Sequence, residues 1–351
     1  MSDRVASLPH VTVCVPAFNA ERTLRRTLDS ILAQDYTNFD VLVCDNASTD
    51  NTAQIAREYA ARGVRYALNP VHTDWGESNW NHALSLAEGP LIALYHADDL
   101  YIPTMVRRQV DFLEAHADAS AVFTMTRMID EQDRPIRLGT TRLPKELRGQ
   151  ECFAFPMLLN AVLKYGNFLT VPTLMTRRVT LDTVGVFNYE QFCTASDIDL
   201  WLRMARCKPV GIIDEPLHRY RLSSTQGSVQ IHRRRTLRAH FFWVLDHYLS
   251  LPDIGSLVQP QARAYYDMER SVDDIRCVIN LLAAGETKEA SARLVGILCL
   301  DNFYLACRRP RQLVYLLAGV GLRIGISIRL GGLLGQCMHA SRREWARIRW
   351  S

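Results

Sequence analysis

The first half of the chain reads as short apolar runs, each closed by a polar cluster and followed by a segment of helical period. Val11 to Val15 is a β-branched run stopped at Pro16, which predicts a buried strand. Pro16-Ala17-Phe18-Asn19 then turns the chain. Leu24, Leu28, Ile31 and Leu32 recur at i, i+4, i+7 and i+8, an amphipathic helix with Asn19 as its expected N-cap. Phe39 to Cys44 predicts a second strand, closed by Asp45-Asn46-Ala47-Ser48-Thr49-Asp50, and a helix through Ile55 and Tyr59 follows. Val64 to Leu68 predicts a third strand, Ser78 to Ala87 a helix, and Leu91 to Tyr95 a fourth strand. Repeated strand–helix alternation with short loops is the pattern of a parallel α/β sheet wound right-handedly.

Beyond Pro103 a helix is expected through Val106, Val110 and Leu113, then a strand over Val122 to Met128. Residues 130–150 are charged and turn-rich and read as a surface excursion. Cys152 to Leu163 predicts a helix, and Val171 to Met175 and Val210 to Ile213 predict strands. After Ser228 the pattern becomes helical, with Leu237, Phe241, Val244 and Leu245 on one face and two helices expected over 260–307. The predicted division is an α/β domain over 1–225 and a helical appendage over 226–351.

Composition is that of an ordinary globular protein, with 351 residues, 48% hydrophobic and 22% charged. The start, Met1-Ser2-Asp3-Arg4, lacks an apolar core and predicts no secretory signal. Nine scattered cysteines without a Cys-x-x-Cys pair predict reduced thiols in a cytoplasmic setting. The net charge of +4 is uneven. Residues 301–351 carry nine arginines against Asp301 and Glu344, a balance of +7, and the remaining 32 basic and 35 acidic residues give −3. Basicity at one end argues against a nucleic-acid enzyme and for an anionic surface near the tail.

The chemistry gathers at strand ends. Leu91 to Tyr95 stops abruptly in His96-Ala97-Asp98-Asp99. Adjacent carboxylates at the end of a buried strand are costly unless they meet a cation or hydrogen-bond donors. They suit a divalent metal carrying a diphosphate, or Asp98 caps the helix near Pro103. Asn19 and Asp45 also follow strands, and in a parallel sheet such ends lie along one edge. Asp45 could accept a hydrogen bond from a uracil imide, with backbone around Pro16 and Ala17 on the base edge, or it opens a loop as an Asx-turn.

Val-Pro-Ala-Phe-Asn at 15–19, Cys-Asp-Asn-Ala-Ser-Thr-Asp-Asn-Thr at 44–52 and Ala-Asp-Asp at 97–99 resemble the family 2 glycosyltransferases of the GT-A fold. Gly76 through Trp80-Asn81-His82-Ala83-Leu84 is similar to that family's Gly-x-x-x-x-Asn helix, and Gly185-Val186-Phe187 to its Gly-x-Phe. Ser196-Asp197-Ile198-Asp199-Leu200-Trp201-Leu202-Arg203 resembles Glu-Asp-x-x-Leu-Trp-x-Arg from Asp197 onward, with Ser196 in place of Glu. Pro216-Leu217-His218-Arg219-Tyr220-Arg221 resembles Pro-Leu-x-x-Tyr-Arg. The resemblance covers about residues 10–225 and implies a GT-A-type, mostly parallel sheet with a Rossmann-like nucleotide-binding half. It implies nucleotide contacts at Pro16, Ala17, Asn19 and Asp45, with Asn81, His96, Asp99 and Arg221 also on the donor. His96 stands where the family often has an acid, in an outer-shell or ribose-facing role, or as a strand-end residue bonded to backbone. Asp98 is then the inner-sphere ligand of Mg²⁺ or Mn²⁺, with Asp99 helping to position the diphosphate. Arg221 or His218 would neutralise the leaving diphosphate, or pair with Asp214 or Glu215. Asp197 is the implied catalytic base, its alternative being an N-cap. Asp199 and Trp201 read as structural.

The expectation is an inverting, metal-dependent transfer of a sugar from a UDP-linked donor to a hydroxyl acceptor. A non-catalytic scaffold of the same fold and a nucleotidyltransferase are the contrasting classes; the latter usually has a Gly- and Lys-rich loop after the first strand, which this sequence lacks. The processive Gln-x-x-Arg-Trp motif is also lacking, so repeated polymer synthesis is not expected. In the tail, Leu313, Leu316, Leu317 and Val320 form one apolar face, and no uncharged run reaches the roughly 20 residues of a spanning helix. Flanking arginines, with Trp345 and Trp350, suit a peripheral seat on an anionic membrane and a polyprenyl-linked, cell-envelope acceptor. The other reading is a helix packed on the protein with solvated arginines.

Overall fold

The computed structural model describes residues 8–73, 76–223, 235–295 and 300–348. The strands are β1 Val11–Ala17, β2 Phe39–Asp45, β3 Val64–Leu68, β4 Leu91–Leu94, β5 Leu100–Tyr101, β6 Ala121–Ile129, β7 Pro135–Thr140, β8 Cys152–Phe153, β9 Leu174–Arg177 and β10 Val210–Arg221. The helices beside them are α1 Leu24–Leu32, α2 Thr52–Glu58, α3 Gly76–Ser85, α4 Met105–Ala115, α5 Phe155–Tyr165, α6 Arg178–Val184, α7 Tyr189–Phe192 and α8 Ser196–Cys207. The strands form one mixed, mostly parallel sheet in the order β3-β2-β1-β4-β9-β6-β10-β5, with β7 paired to β6 and β8 to β10. β3, β2, β1 and β4 run parallel. β9 lies antiparallel between β4 and β6, and β10 is parallel to β6.

Val11, Val13, Val15, Leu24, Leu28 and Ile31 are fully buried in one cluster, as their spacing predicts. β1 is buried along its whole length because both faces of a parallel sheet are covered, which is why its sequence is apolar except for Thr12, whose hydroxyl donates to Asp40 Oδ1 at 2.9 Å.

Several expectations are corrected. Asn19 does not cap α1: the helix starts at Leu24 with Thr23 in the cap position, and Asn19 adopts a left-handed conformation, φ 47°. Asp98 does not cap the next helix either, because β5 intervenes and α4 is preceded by Thr104. Residues 130–150 are not only a surface excursion, since β7 pairs with β6 as a hairpin. The segment from Cys152 opens as a short strand before α5, and Val171–Thr173 is a 3-10 turn leading into β9. β10 continues well past Ile213, with register shifts around Pro216 that let it carry His218 and Arg221 within the sheet.

The chain separates into two compact units, one ending at Leu222 and one beginning at Ser223, with Leu163–Gly166 grouped with the second. The boundary expected at residue 225 lies outside the described residues. The second unit contains α9 His240–Ser250, α10 Pro260–Ala283, α11 Thr287–Leu294, α12 Leu300–Ala306, α13 Pro310–Ser327 and α14 Gly331–Ile348. Three helices therefore occupy 260–307, not two. α10 is its spine: Met268, Val272, Ile275, Val278 and Leu282 are buried with Leu316 and Leu322 of α13. Two buried acids on α10, Asp273 and Asp274, are neutralised by Arg235 and Arg238, the latter through two hydrogen bonds of 2.7 Å.

The anticipated apolar face of α13 is divided. Leu316 is buried, whereas Leu317 is 56% exposed. Arg233, Arg234, Arg349 and Trp350 lie outside the described residues, as do the side chains of Arg342, Arg343, Trp345 and Arg347. No described helix is long and apolar enough to cross a membrane.

Candidate active site

The ends of β1, β2 and β4 lie side by side because the three strands are parallel neighbours. Ala17 is in register with Asp45, and Tyr95 N–H donates to Cys14 O at 2.8 Å. The polar loops that leave these strands are knitted together. Asn46 N–H donates to Ala17 O at 2.9 Å. Asn19 N–H donates to Ser48 Oγ at 2.9 Å, while Asn19 Oδ1 accepts from Thr49 N–H at 2.9 Å. Pro16 and Ala17 belong to the strand itself, and the turn follows them.

Asp45 is 1% exposed. Its Oδ1 accepts from Ser48 N–H at 3.0 Å, an Asx-type turn, and its Oδ2 accepts from the Tyr66 hydroxyl at 2.9 Å. Burial, together with this acceptance, pushes Tyr66 up to about 12. Beside this loop the exposed Phe18 ring packs on His72 at 4.4 Å between centroids, an aromatic face that periodicity alone does not announce.

The His96–Asp99 segment is braced from several directions. The Tyr101 hydroxyl accepts from His96 N–H at 2.6 Å and donates to His96 O at 3.2 Å. Asp99 is fully buried: Oδ2 meets His218 Nε2 at 2.9 Å and Oδ1 accepts from Arg221 N–H at 2.8 Å. His218 is equally buried, and its Nδ1 meets Thr126 Oγ1 at 3.1 Å. Burial favours the neutral form of each partner, holding the His218 imidazole down to about 3 and raising Asp99 to about 8, the latter opposed by Arg221. Asp98 is raised to about 6 by burial and then by Asp99, and His96 is lowered to about 4 by burial.

Three expected donor contacts are corrected by this geometry. His218 is sealed beneath Asp99 and cannot meet a diphosphate. Arg221, 3% exposed, spends its guanidinium on the chain itself, donating from Nε to Asp98 O at 2.7 Å and pairing with Asp133. Neither pairs with Asp214 or Glu215: Asp214 accepts from Leu143 N–H at 3.1 Å and Glu215 pairs with Arg108. Asn81 uses both ends of its amide on the Phe187 backbone, at 2.8 and 3.0 Å, because it ties α3 to the Gly185–Phe187 loop. Trp80, next to it, packs edge-on against Phe187 at 5.2 Å and tilted against His96 at 5.4 Å.

Phe187 also meets Trp201 of α8, at 6.0 Å, so an aromatic chain links the His96 segment to the helix carrying Asp197. Trp201 is 1% exposed and packs edge-on against Phe123, a core role. Asp199 pairs with Arg203, which also donates to the carbonyls of Val184 and Val186. Asp197 is not an N-cap, since α8 begins at Ser196. It sits half-buried in the first turn, where Oδ1 accepts from Ile198 N–H at 2.8 Å and Oδ2 from Asn167 Nδ2 at 2.9 Å. Sequence motifs did not reveal Asn167; its one signal is the preceding Gly166, whose φ of 78° turns the chain there.

Donor atoms of His96, Asp98 and Asp99 all lie within 4.8 Å of one another. Two carboxylates and an imidazole so close, with the acids raised by burial, are a set that a divalent cation fits, since its charge would offset their desolvation.

Residues 12–179 match the family Glycosyl transferase family 2. The EpsE protein of Bacillus subtilis is 34% identical over 199 residues, 56% of this chain and 66% of that protein. An uncharacterized glycosyltransferase of Rickettsia felis is 26% identical over 64% of this chain and 36% of its own length, so the match spans less than two thirds of either relative. The Escherichia coli enzyme WfaP, a UDP-Glc:alpha-D-GlcNAc-diphosphoundecaprenol beta-1,3-glucosyltransferase, is 27% identical over 55% of this chain and 69% of that protein.

Among solved structures, Staphylococcus aureus TarS 1–349 with UDP-GlcNAc superposes with a TM-score of 0.53 at 17% identity, covering 86% of this chain and 92% of that one. The mannosyltransferase PcManGT of Pyrobaculum calidifontis, solved with GDP-Man and Mn²⁺, gives 0.56 at 20% identity, covering 91% and 88%. At such identities the likeness shows the fold, which is GT-A-like. With its motif-bearing strand ends inside the matched stretch, this chain belongs to glycosyl transferase family 2.

Proposed function

We propose that the protein transfers a glycosyl group, with inversion, from a UDP-linked sugar to a hydroxyl acceptor. The observation carrying this reading is the set of three parallel strand ends whose loops bear Asn19, Asp45 and Asp98–Asp99, together with Asp197 in the first turn of α8. The loops around Pro16, Ala17 and Asp45 would take the base, beside the exposed Phe18 ring. Asp98 would hold Mg²⁺ or Mn²⁺, which when bound supplies positive charge to the departing diphosphate. Asp99, His218, Arg221 and Tyr101 fix the Asp98 backbone, and Asn81 holds the loop before α8. Asp197 takes the proton of the acceptor hydroxyl as its oxygen bonds to the anomeric carbon; the bond from that carbon to the diphosphate breaks, and the electron pair leaves with the nucleotide. Asn167 orients the receiving carboxylate. WfaP, a UDP-Glc enzyme, and the TarS complex with UDP-GlcNAc favour UDP. Calorimetry of UDP with Mn²⁺ tests the site: wild type should bind, and Asp98→Ala should bind more weakly in Mn²⁺ yet match wild type in EDTA. Equal loss in both conditions would make Asp98 a structural residue and remove the metal from this reading.

The acceptor we propose is lipid-linked, presented at an anionic membrane surface. Val314, Leu317 and Ile324 form an outward row on α13, 56–66% exposed, continued past its end by Ile328, Leu330 and Leu333. Arg311 and Arg323 of the same helix and Arg329 just after it are also exposed. A helix that exposes both an apolar row and arginines is complementary to a bilayer with acidic headgroups. Full-length protein should float with phosphatidylglycerol vesicles at low salt, and Leu317→Glu/Ile324→Glu should not, with unchanged helicity. Equal flotation of both, or absence of flotation in wild type, rejects the membrane seat; concentration-dependent dimers lost in the variant would assign the row to a second copy.

A further inference from the structure

The two histidines near the carboxylates differ in one respect. His218 has both ring nitrogens engaged, on Asp99 and Thr126. His96 has neither engaged: its Nε2 is buried without a hydrogen-bond partner, and Nδ1 lies 4.0 Å from Asp99 Oδ2. Nδ1, the ring nitrogen that approaches Asp99, is therefore uncommitted and available to a cation. Its backbone is clamped by the Tyr101 hydroxyl and its ring is packed by Trp80, so the imidazole has little freedom to turn away.

The spacing fits ligation. Two cis ligands of an octahedral ion with bonds near 2.1 Å stand about 3 Å apart and trans ligands about 4.2 Å apart. The 4.0 Å from Nδ1 to Asp99 Oδ2, and the 4.8 Å limit on the whole group, need small side-chain rotations to converge. Asp99 already receives hydrogen bonds on both oxygens, so Asp98 and His96 are the two less committed donors.

We propose that His96 is an inner-sphere nitrogen ligand of the catalytic cation, giving this chain a mixed nitrogen–oxygen site that favours Mn²⁺ and later first-row ions over Mg²⁺. This rests on the glycosyl-transfer reading for the presence of a cation. Imidazole binds transition ions in preference to Mg²⁺, whereas carboxylates and water suit Mg²⁺ and Mn²⁺ alike. A histidine at this strand end therefore biases which metal the site selects, with Asp98 as its carboxylate neighbour. The ring's packing against Trp80, which Phe187 backs in turn, would hold the ligand in place, as outer-shell contacts do at metal centres.

The test is pulsed electron paramagnetic resonance of Mn²⁺ bound to the full chain with UDP, which carries its own nitrogens only on the base. Wild type should show nitrogen modulation from directly bound imidazole. Protein grown with ¹⁵N-histidine should replace that pattern with the ¹⁵N one, which identifies the source without any substitution. His96→Asp should lose the modulation and bind Mg²⁺ more tightly than wild type, while His96→Ala should lose it and weaken Mn²⁺ more than Mg²⁺. Bound Mn²⁺ without nitrogen modulation overturns the inference and leaves the glycosyl-transfer reading standing. Failure of wild type to bind Mn²⁺ at all overturns both.

Discussion

Two aspartates close parallel strands of this sheet, and both are sealed: Asp45 is 1% exposed and Asp99 0%. Their partners come from different distances along the chain. Asp45 is satisfied by Ser48, three residues on, and by Tyr66 on the adjacent strand β3. Asp99 is satisfied by His218 and Arg221, 119 and 122 residues on, delivered by the far end of β10. The β2 end is a self-contained turn, and the β4 end is assembled by the whole sheet. A buried carboxylate can be satisfied either way, but only the second arrangement ties the fold of the sheet's antiparallel half to the geometry of the proposed chemistry.

Substitutions separate the residues of the reaction from those of the frame. The largest effect is expected at Asp197: Asp197→Asn should lower turnover by about 10²–10⁴-fold with donor affinity unchanged, because it removes a proton acceptor and little else. Steady-state kinetics beside UDP calorimetry check this, and near-normal turnover rejects the base. His218→Ala comes next, leaving a fully buried carboxyl oxygen without its partner and costing about 1–3 kcal/mol in denaturant unfolding. A loss below about 1 kcal/mol would dissolve the contrast with Asp45, since it would mean the long-range tie carries no weight.

Asn81→Ala should cost about 1–2 kcal/mol through the two hydrogen bonds to Phe187. It should also raise the KM for donor, because the Phe187 loop packs on Trp80 and so on His96; unchanged donor KM would confine Asn81 to stability. Ser48→Ala, in the self-contained turn, should change stability by about 0.5 kcal/mol or less. Its Oγ accepts a single exposed hydrogen bond, from Asn19 N–H. A larger loss, measured by thermal melting, would show that the β2 loop is not the local structure its hydrogen bonds describe.

The legible part of the site is the part built locally. Val11–Val15, Phe39–Cys44 and Leu91–Tyr95 announce themselves as strands, because buried parallel strands must be apolar on both faces. The polar residue that ends each run announces the loop. The role proposed for Asp197 rests on its Leu-Trp-x-Arg context, while Trp201 and Arg203 have structural contacts. Asn19, Asn81 and Arg221 were legible as residues of the site region but not in their roles, since hydrogen-bonding side chains serve backbone and ligand equally well. Asn167 carries no motif and meets Asp197 across 30 residues.

What the sequence by itself determined is the alternation of strands and helices, the family, and the positions of the carboxylates, because hydrophobic period and strand-end polarity act over a few residues. The tertiary structure decided which polar groups are bonded within the protein and which are not. His96 and His218 look alike in sequence, yet one has both nitrogens bonded and the other none. Leu316 and Leu317 are neighbours on one predicted face, yet α10 covers the first and leaves the second outside. Such choices depend on which distant element arrives at each side chain, and a local pattern of residues holds no record of that.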